Sequence, residues 1–106
     1  MSYTQAFCPA YGTGQTVAPA AGSANAALVS GPRQLRVMNT GASVGYFRTY
    51  SSKAAADKAS AGVATANDFA VPPGLAATVT KDLSHDRWAF VSDVGTTFLL
   101  IQGEGM

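Results

Sequence analysis

Apolar and polar positions along this chain alternate in short runs, each closed by residues that favour turns. Gln34-Leu35-Arg36-Val37-Met38 is the clearest run, with Leu35 and Val37 on one face and Arg36 on the other. That period of two is the mark of a half-buried strand. Thr16-Val17-Ala18, closed by Pro19, and Ala24 to Val29, closed by Ser30-Gly31-Pro32, are weaker versions of the same pattern. Asn39-Thr40-Gly41-Ala42 reads as a turn, which makes Val44 to Tyr50 the expected hairpin partner of the 34–38 strand. In that partner Val44, Tyr46, Arg48 and Tyr50 share one face, and Phe47 and Thr49 the other.

The second half repeats the pattern. Asn67 to Val71 leads into Pro72-Pro73-Gly74, where the prolines cannot donate to a ladder and glycine serves a turn. Leu75 to Thr80 alternates, Asp82 to Asp86 is a polar turn, and Arg87 to Val91 is a strand with Trp88 and Phe90 on one face. Asp93-Val94-Gly95 turns the chain into Thr96 to Gln102, which is apolar on both faces and therefore belongs in a sheet centre or beneath a partner. Between the halves, residues 51–66 are rich in Ser, Ala and Gly. Ala54 to Ala59 has the propensity for one or two helical turns but no large apolar residue to pin them, so a long loop is the competing expectation.

Seven or eight short strands with turn signals between them, and no βαβ alternation, predict an all-β fold: an antiparallel β-sandwich or barrel. A jelly-roll-like topology leads and an Ig-like sandwich is the alternative. Trp88, Phe90, Phe98 and Leu100 are the expected core. Residues 1–14 lack either periodicity and read as an extended N-terminal arm, leaving 15–106 as a single β-sandwich domain.

Composition narrows the function. The 106 residues suffice for one domain, 47% of them are apolar, and twenty are alanine. Charged residues make up 12%, against about 25% in an average globular domain. A surface so poor in charge points to coverage by copies of itself or by another protein, although Ser, Thr, Asn and Gln can also solvate a surface. The net charge of +1 argues against a broad nucleic-acid footprint. No run of 18 apolar residues suggests a membrane span, and no secretory signal pattern opens the chain, so a soluble intracellular product is expected.

Candidate chemistry is sparse. One cysteine and one histidine leave little for a disulfide, a zinc site or a catalytic constellation. His85 sits in a turn with Asp82 and Asp86, a pattern shared by a metal or general-base site and by an ordinary solvated turn. Cys8 has no neighbouring base to activate it. Neither an enzyme nor a cofactor is expected. Arg36 and Arg48, if cross-strand neighbours, would form a small basic spot beside Tyr46, Phe47 and Tyr50; arginines paired with aspartates at a protein interface account for the same residues. The candidate interface residues are therefore Tyr3, Phe7 and Tyr11 on the arm, with Arg36, Arg48, Tyr46 and Tyr50.

Three segments taken in order resemble small virion proteins of tailed bacteriophages. They are Pro32 to Gly41 followed by Val44-Gly45-Tyr46-Phe47, then Asn67 to Gly74 (similar to a D-x-P-[VI]-P-x-G turn), and finally Phe98 to Gly105. Ile101-Gln102 departs from the family's Thr-Pro pair, and the 51–66 segment is longer. The resemblance implies a non-enzymatic capsid decoration or cement protein that binds the major capsid protein on the outer shell of the virion and is made in the host cytoplasm. Self-association as a homotrimer is expected ahead of a homodimer, without direct contact to nucleic acid or membrane. A tail, neck or fibre-base component is the nearest alternative. A carbohydrate- or host-surface-binding module, stacking sugars on Tyr46, Tyr50 and Trp88, is the next.

Overall fold

A computed structural model of the chain describes residues 9–29 and 32–103. Eight strands form: β1 Gln15–Val17, β2 Ala24–Ala27, β3 Gln34–Asn39, β4 Gly45–Tyr50, β5 Phe69–Val71, β6 Ala76–Thr80, β7 Arg87–Val91 and β8 Phe98–Gly103. They make two four-stranded antiparallel sheets, ordered β1-β8-β3-β6 and β2-β7-β4-β5. The all-β sandwich expected from the alternation is thus what the chain forms. Its pairing has a simple logic: β1 with β8, β2 with β7, β3 with β6 and β4 with β5, alternately in one sheet and the other. This is a long antiparallel ribbon rolled around a core, the jelly roll. The Ig-like alternative is not the topology formed.

One expectation is overturned. Gln34–Asn39 and Gly45–Tyr50 do not form a hairpin; they lie in opposite sheets. Both flanks of β3 are taken, by β8 and β6. Residues 40–44 therefore carry the chain across the sandwich, so that Leu35 and Val37 face Phe47 through a shared core. A period of two reveals which face is buried, not whether the next strand lies beside its predecessor or across from it. Gly41 does not take the positive φ expected of a turn glycine. It is needed for space, because a Cβ there would overlap Thr96 and the Thr97 main chain.

The core is aromatic. Trp88 and Phe98 are fully buried and stack at 6.3 Å, while Phe90 lies 4.7 Å from Trp88 and Phe47 meets Trp88 edge-on at 6.2 Å. Polar side chains close the gap between the sheets at one end. Gln15 on β1 donates to the Ala27 carbonyl at 2.7 Å and accepts from the Trp88 indole at 3.2 Å. Gln102 on β8 pairs both ends of its amide with the main chain of Val29.

The connection after β4 folds back over the outside of the second sheet. It contains the helix α1, Ser52–Asp57, and a 3-10 turn, Ala59–Gly62. No large side chain pins the helix. Its start is held by polar groups instead: the Ser51 hydroxyl accepts from Ala54 N–H, and Asp86 accepts from both the N–H and the hydroxyl of Ser52 at 2.7 Å. Small residues then pack closely, Ala55 and Ala64 joining Tyr50, Ala89, Val91 and Tyr46 in a second, minor core. Among the described residues no helix is long and apolar enough to cross a membrane.

Candidate protein interface

The two sheets differ in what lies on their outer surfaces. The centre of the outer face of β2-β7-β4-β5 is covered by the chain's own 51–66 segment. On β1-β8-β3-β6, Leu35, Val37, Phe98 and Leu100 point inward, so Arg36, Met38, Leu99 and Ile101 point out. The register sets Met38 beside Leu99 and Arg36 beside Ile101, with Thr16 next to Leu99, Ala76 next to Met38 and Thr78 next to Arg36. The result is an apolar patch around one arginine. A shallow groove of about 350 Å³ crosses it, lined chiefly by Met38, Leu99, Ile101, Arg36, Thr16 and Gly14. Met38 and Leu99 are 39% and 42% exposed, a high share for side chains near the middle of a sheet.

Arg36 and Arg48 do not make a joint basic spot, since β3 and β4 belong to opposite sheets. Arg48 is engaged elsewhere. Its guanidinium grips Asp68 with Nε at 3.0 Å and a second nitrogen at 2.7 Å, and it reaches the Ser60 carbonyl. Burial raises the Asp68 carboxyl, but hydrogen bonds from Arg48 and Thr65, with the charge of Arg48, outweigh it and hold the group below its ordinary value. The pair fastens the end of the 51–66 segment to β4. Among the described residues this is the one ion pair, and Arg36 has no carboxylate partner.

The remaining candidates separate. Tyr46 is half-buried at the edge of the minor core, and Tyr50 is 5% exposed, its hydroxyl accepting from Arg87. Trp88 is wholly inside, so Trp88 and Tyr50 present no platform for a sugar. Tyr11 is 91% exposed on a stretch whose residues Pro9 and Ala10 run beside Gly103 and Gln102. Tyr3 and Phe7 lie outside the described residues.

The Asp82–Asp86 turn is occupied with structural work. Asp82 accepts from the N–H and hydroxyl of Ser84, which lower its pKa. His85 Nδ1 is 2.7 Å from the Thr49 hydroxyl, and Asp86 holds the start of α1, whose Ser52 lowers its pKa. Among the described residues no three metal-ligating side chains come together.

Met38, Leu99 and Ile101 were not singled out as site residues by sequence reasoning. The signal was present: the last strand is apolar on both faces, and Met38 shares the parity of the outward Arg36. Compared with known proteins, the chain matches no family model, no curated protein and no solved structure.

Proposed function

We propose that this chain is a non-enzymatic structural protein of a tailed-phage particle, a decoration protein seated on the capsid through the outer face of β1-β8-β3-β6. The observation that supports this reading is the asymmetry of the sandwich, one sheet covered at its centre by the chain itself and the other presenting Met38, Leu99 and Ile101 around an Arg36 that has no carboxylate partner among the described residues. An apolar patch with one central cation suits a protein partner that offers apolar side chains and a carboxylate. The resemblance in segment order to phage virion proteins supplies the partner, the major capsid protein. Jelly rolls recur in viral capsid and lectin domains, so the fold is compatible with the reading without carrying it.

The test is co-sedimentation of the purified chain with capsids of the phage that encodes it. Hundreds of bound copies per particle, lost in Leu99→Asp and Arg36→Glu variants that keep the Trp88 fluorescence of the folded chain, are expected. A dozen copies or fewer would move the protein to the tail or neck. Undiminished binding by both variants would remove this face from the mechanism.

A further inference from the structure

Each sheet has two edges, and three of the four are short. β1 and β5 have three residues each, β5 running straight into Pro72-Pro73, and β2 has four. The fourth edge, β6, is different. It has five residues, Ala-Ala-Thr-Val-Thr, in unbroken register with β3, without a charge, a proline or a bulge. Such an edge lacks the usual devices that discourage pairing with another strand. Among the described residues nothing pairs with its far side.

We infer that the open edge of β6 pairs antiparallel with β6 of a second copy, merging two four-stranded sheets into one of eight strands across a two-fold axis at Thr78. The hydrogen-bond parity fits. Asn39 N–H donates to the Leu75 carbonyl and Lys81 N–H to the Arg33 carbonyl, so the odd-numbered residues of this stretch direct their main-chain groups at β3. Ala76, Thr78 and Thr80 therefore direct theirs outward. Setting Thr78 opposite Thr78 places Ala76 opposite Thr80, and every outward N–H and C=O then meets a partner of matching parity.

A second observation lies on the same flank. Phe69 of β5, 5.5 Å from Phe47 in ring centroids, remains 50% exposed on the β5 edge of the second sheet, and Ala77 and Val79 of β6, packed against the main core, are only partly buried. A second copy on β6 sets its own Ala77 and Val79 on the same inward side of the joined sheet. Pairing also enlarges the bare outer face. Four strands of three to six residues present a footprint of roughly 300 Å², short of the ~800 Å² per partner of a stable interface. Two joined faces come closer, at roughly 600 Å². The pairing is read from this edge and its flank and is independent of what the outer face binds.

The full chain, in a concentration series up to millimolar, is tested by light scattering and by amide exchange. Wild type is expected to pass from monomer to dimer, with the amides of Ala76, Thr78 and Thr80 gaining protection as the dimer forms. Thr78→Pro removes an outward donor, and Thr78→Lys sets like charges across the axis. Each is expected to weaken the dimer at least tenfold while retaining the native Trp88 fluorescence. In a Cys8→Ser background, Thr78→Cys is expected to cross-link on oxidation, since residues opposed in a hydrogen-bonded pair lie about 5.5 Å apart, within disulfide reach. A wild type that stays monomeric throughout, or a dimer indifferent to both substitutions, overturns the inference. So does protection of these three amides only on bound particles, which would mean that a strand of another protein takes the edge.

Discussion

The Thr96 hydroxyl donates a 2.6 Å hydrogen bond to the side-chain oxygen of Asn39, joining the β7–β8 loop to the end of β3. Asn39 is 1% exposed and uses its whole amide: the oxygen also accepts from Gly41 N–H, and the nitrogen donates to the carbonyls of Ser43 and Val71. Its main chain bonds Leu75 and Gly74. One residue, through its side chain and main chain together, thus ties three of the loops at this pole.

Asn39→Asp exchanges the donor for a second acceptor facing two carbonyls. A buried group left unsatisfied costs about 1–3 kcal/mol, and a charged oxygen against carbonyls lies at the upper end. Thermal unfolding should show Tm lower by roughly 10–20 °C for a domain of this size. A change of only a degree or two would mean that the loops hold without this hub.

The Arg48–Asp68 pair predicts a pH dependence. The folded Asp68 carboxyl titrates below its ordinary value, so its contribution is complete above the unfolded pKa of about 3.9 and is lost as pH falls through the folded one. Since 35% of the Arg48 side chain remains exposed, solvent screening limits the pair to about 1 kcal/mol. Urea midpoints of wild type and Asp68→Asn should differ at pH 7 and begin to converge only as pH falls below about 3.9. A gap that does not narrow on acidification would show that the pair's charge contributes nothing.

Gly45 sits under the ring of Phe98, where a Cβ would collide with the ring edge. Gly45→Ala should cost about 1–3 kcal/mol by overpacking. Combined with Phe98→Leu, the loss should be smaller than the sum of the two single losses, because the shorter side chain vacates the contested space. Additive losses in urea unfolding would place the clash elsewhere.

Gln15→Leu strands the Trp88 indole N–H and the Ala27 carbonyl, both of which Gln15 now satisfies. Trp88 is the one tryptophan of the chain, so its fluorescence reports the core directly. A loss of ~1–3 kcal/mol is expected, with a changed native emission spectrum. An unchanged spectrum and stability would show that water replaces the glutamine.

The strands were legible because alternation is local: the 34–38, 75–80 and 87–91 runs appear within a residue or so of their expected places. The Pro72-Pro73-Gly74 turn was legible for the same reason, with Gly74 at φ +76° and Leu75 N–H closing on the Pro72 carbonyl. Strand order was not, since Gln34–Asn39 and Gly45–Tyr50 carry no mark of lying across the core from each other. The helix over Ser52–Asp57 was half legible. Its alanines showed propensity, but its anchor, Asp86, lies 34 residues away in sequence. The bare face was hidden in the same way, because only the folding-back of 51–66 over one sheet leaves the other uncovered.

The bridge between Pro9 and Gly103 fixes where polypeptide enters and leaves the rolled ribbon. Both crossings occur side by side, at the pole away from Asn39. A peptide spliced directly onto either of these two residues would therefore start from one pole, leaving the Asn39 pole clear of cargo.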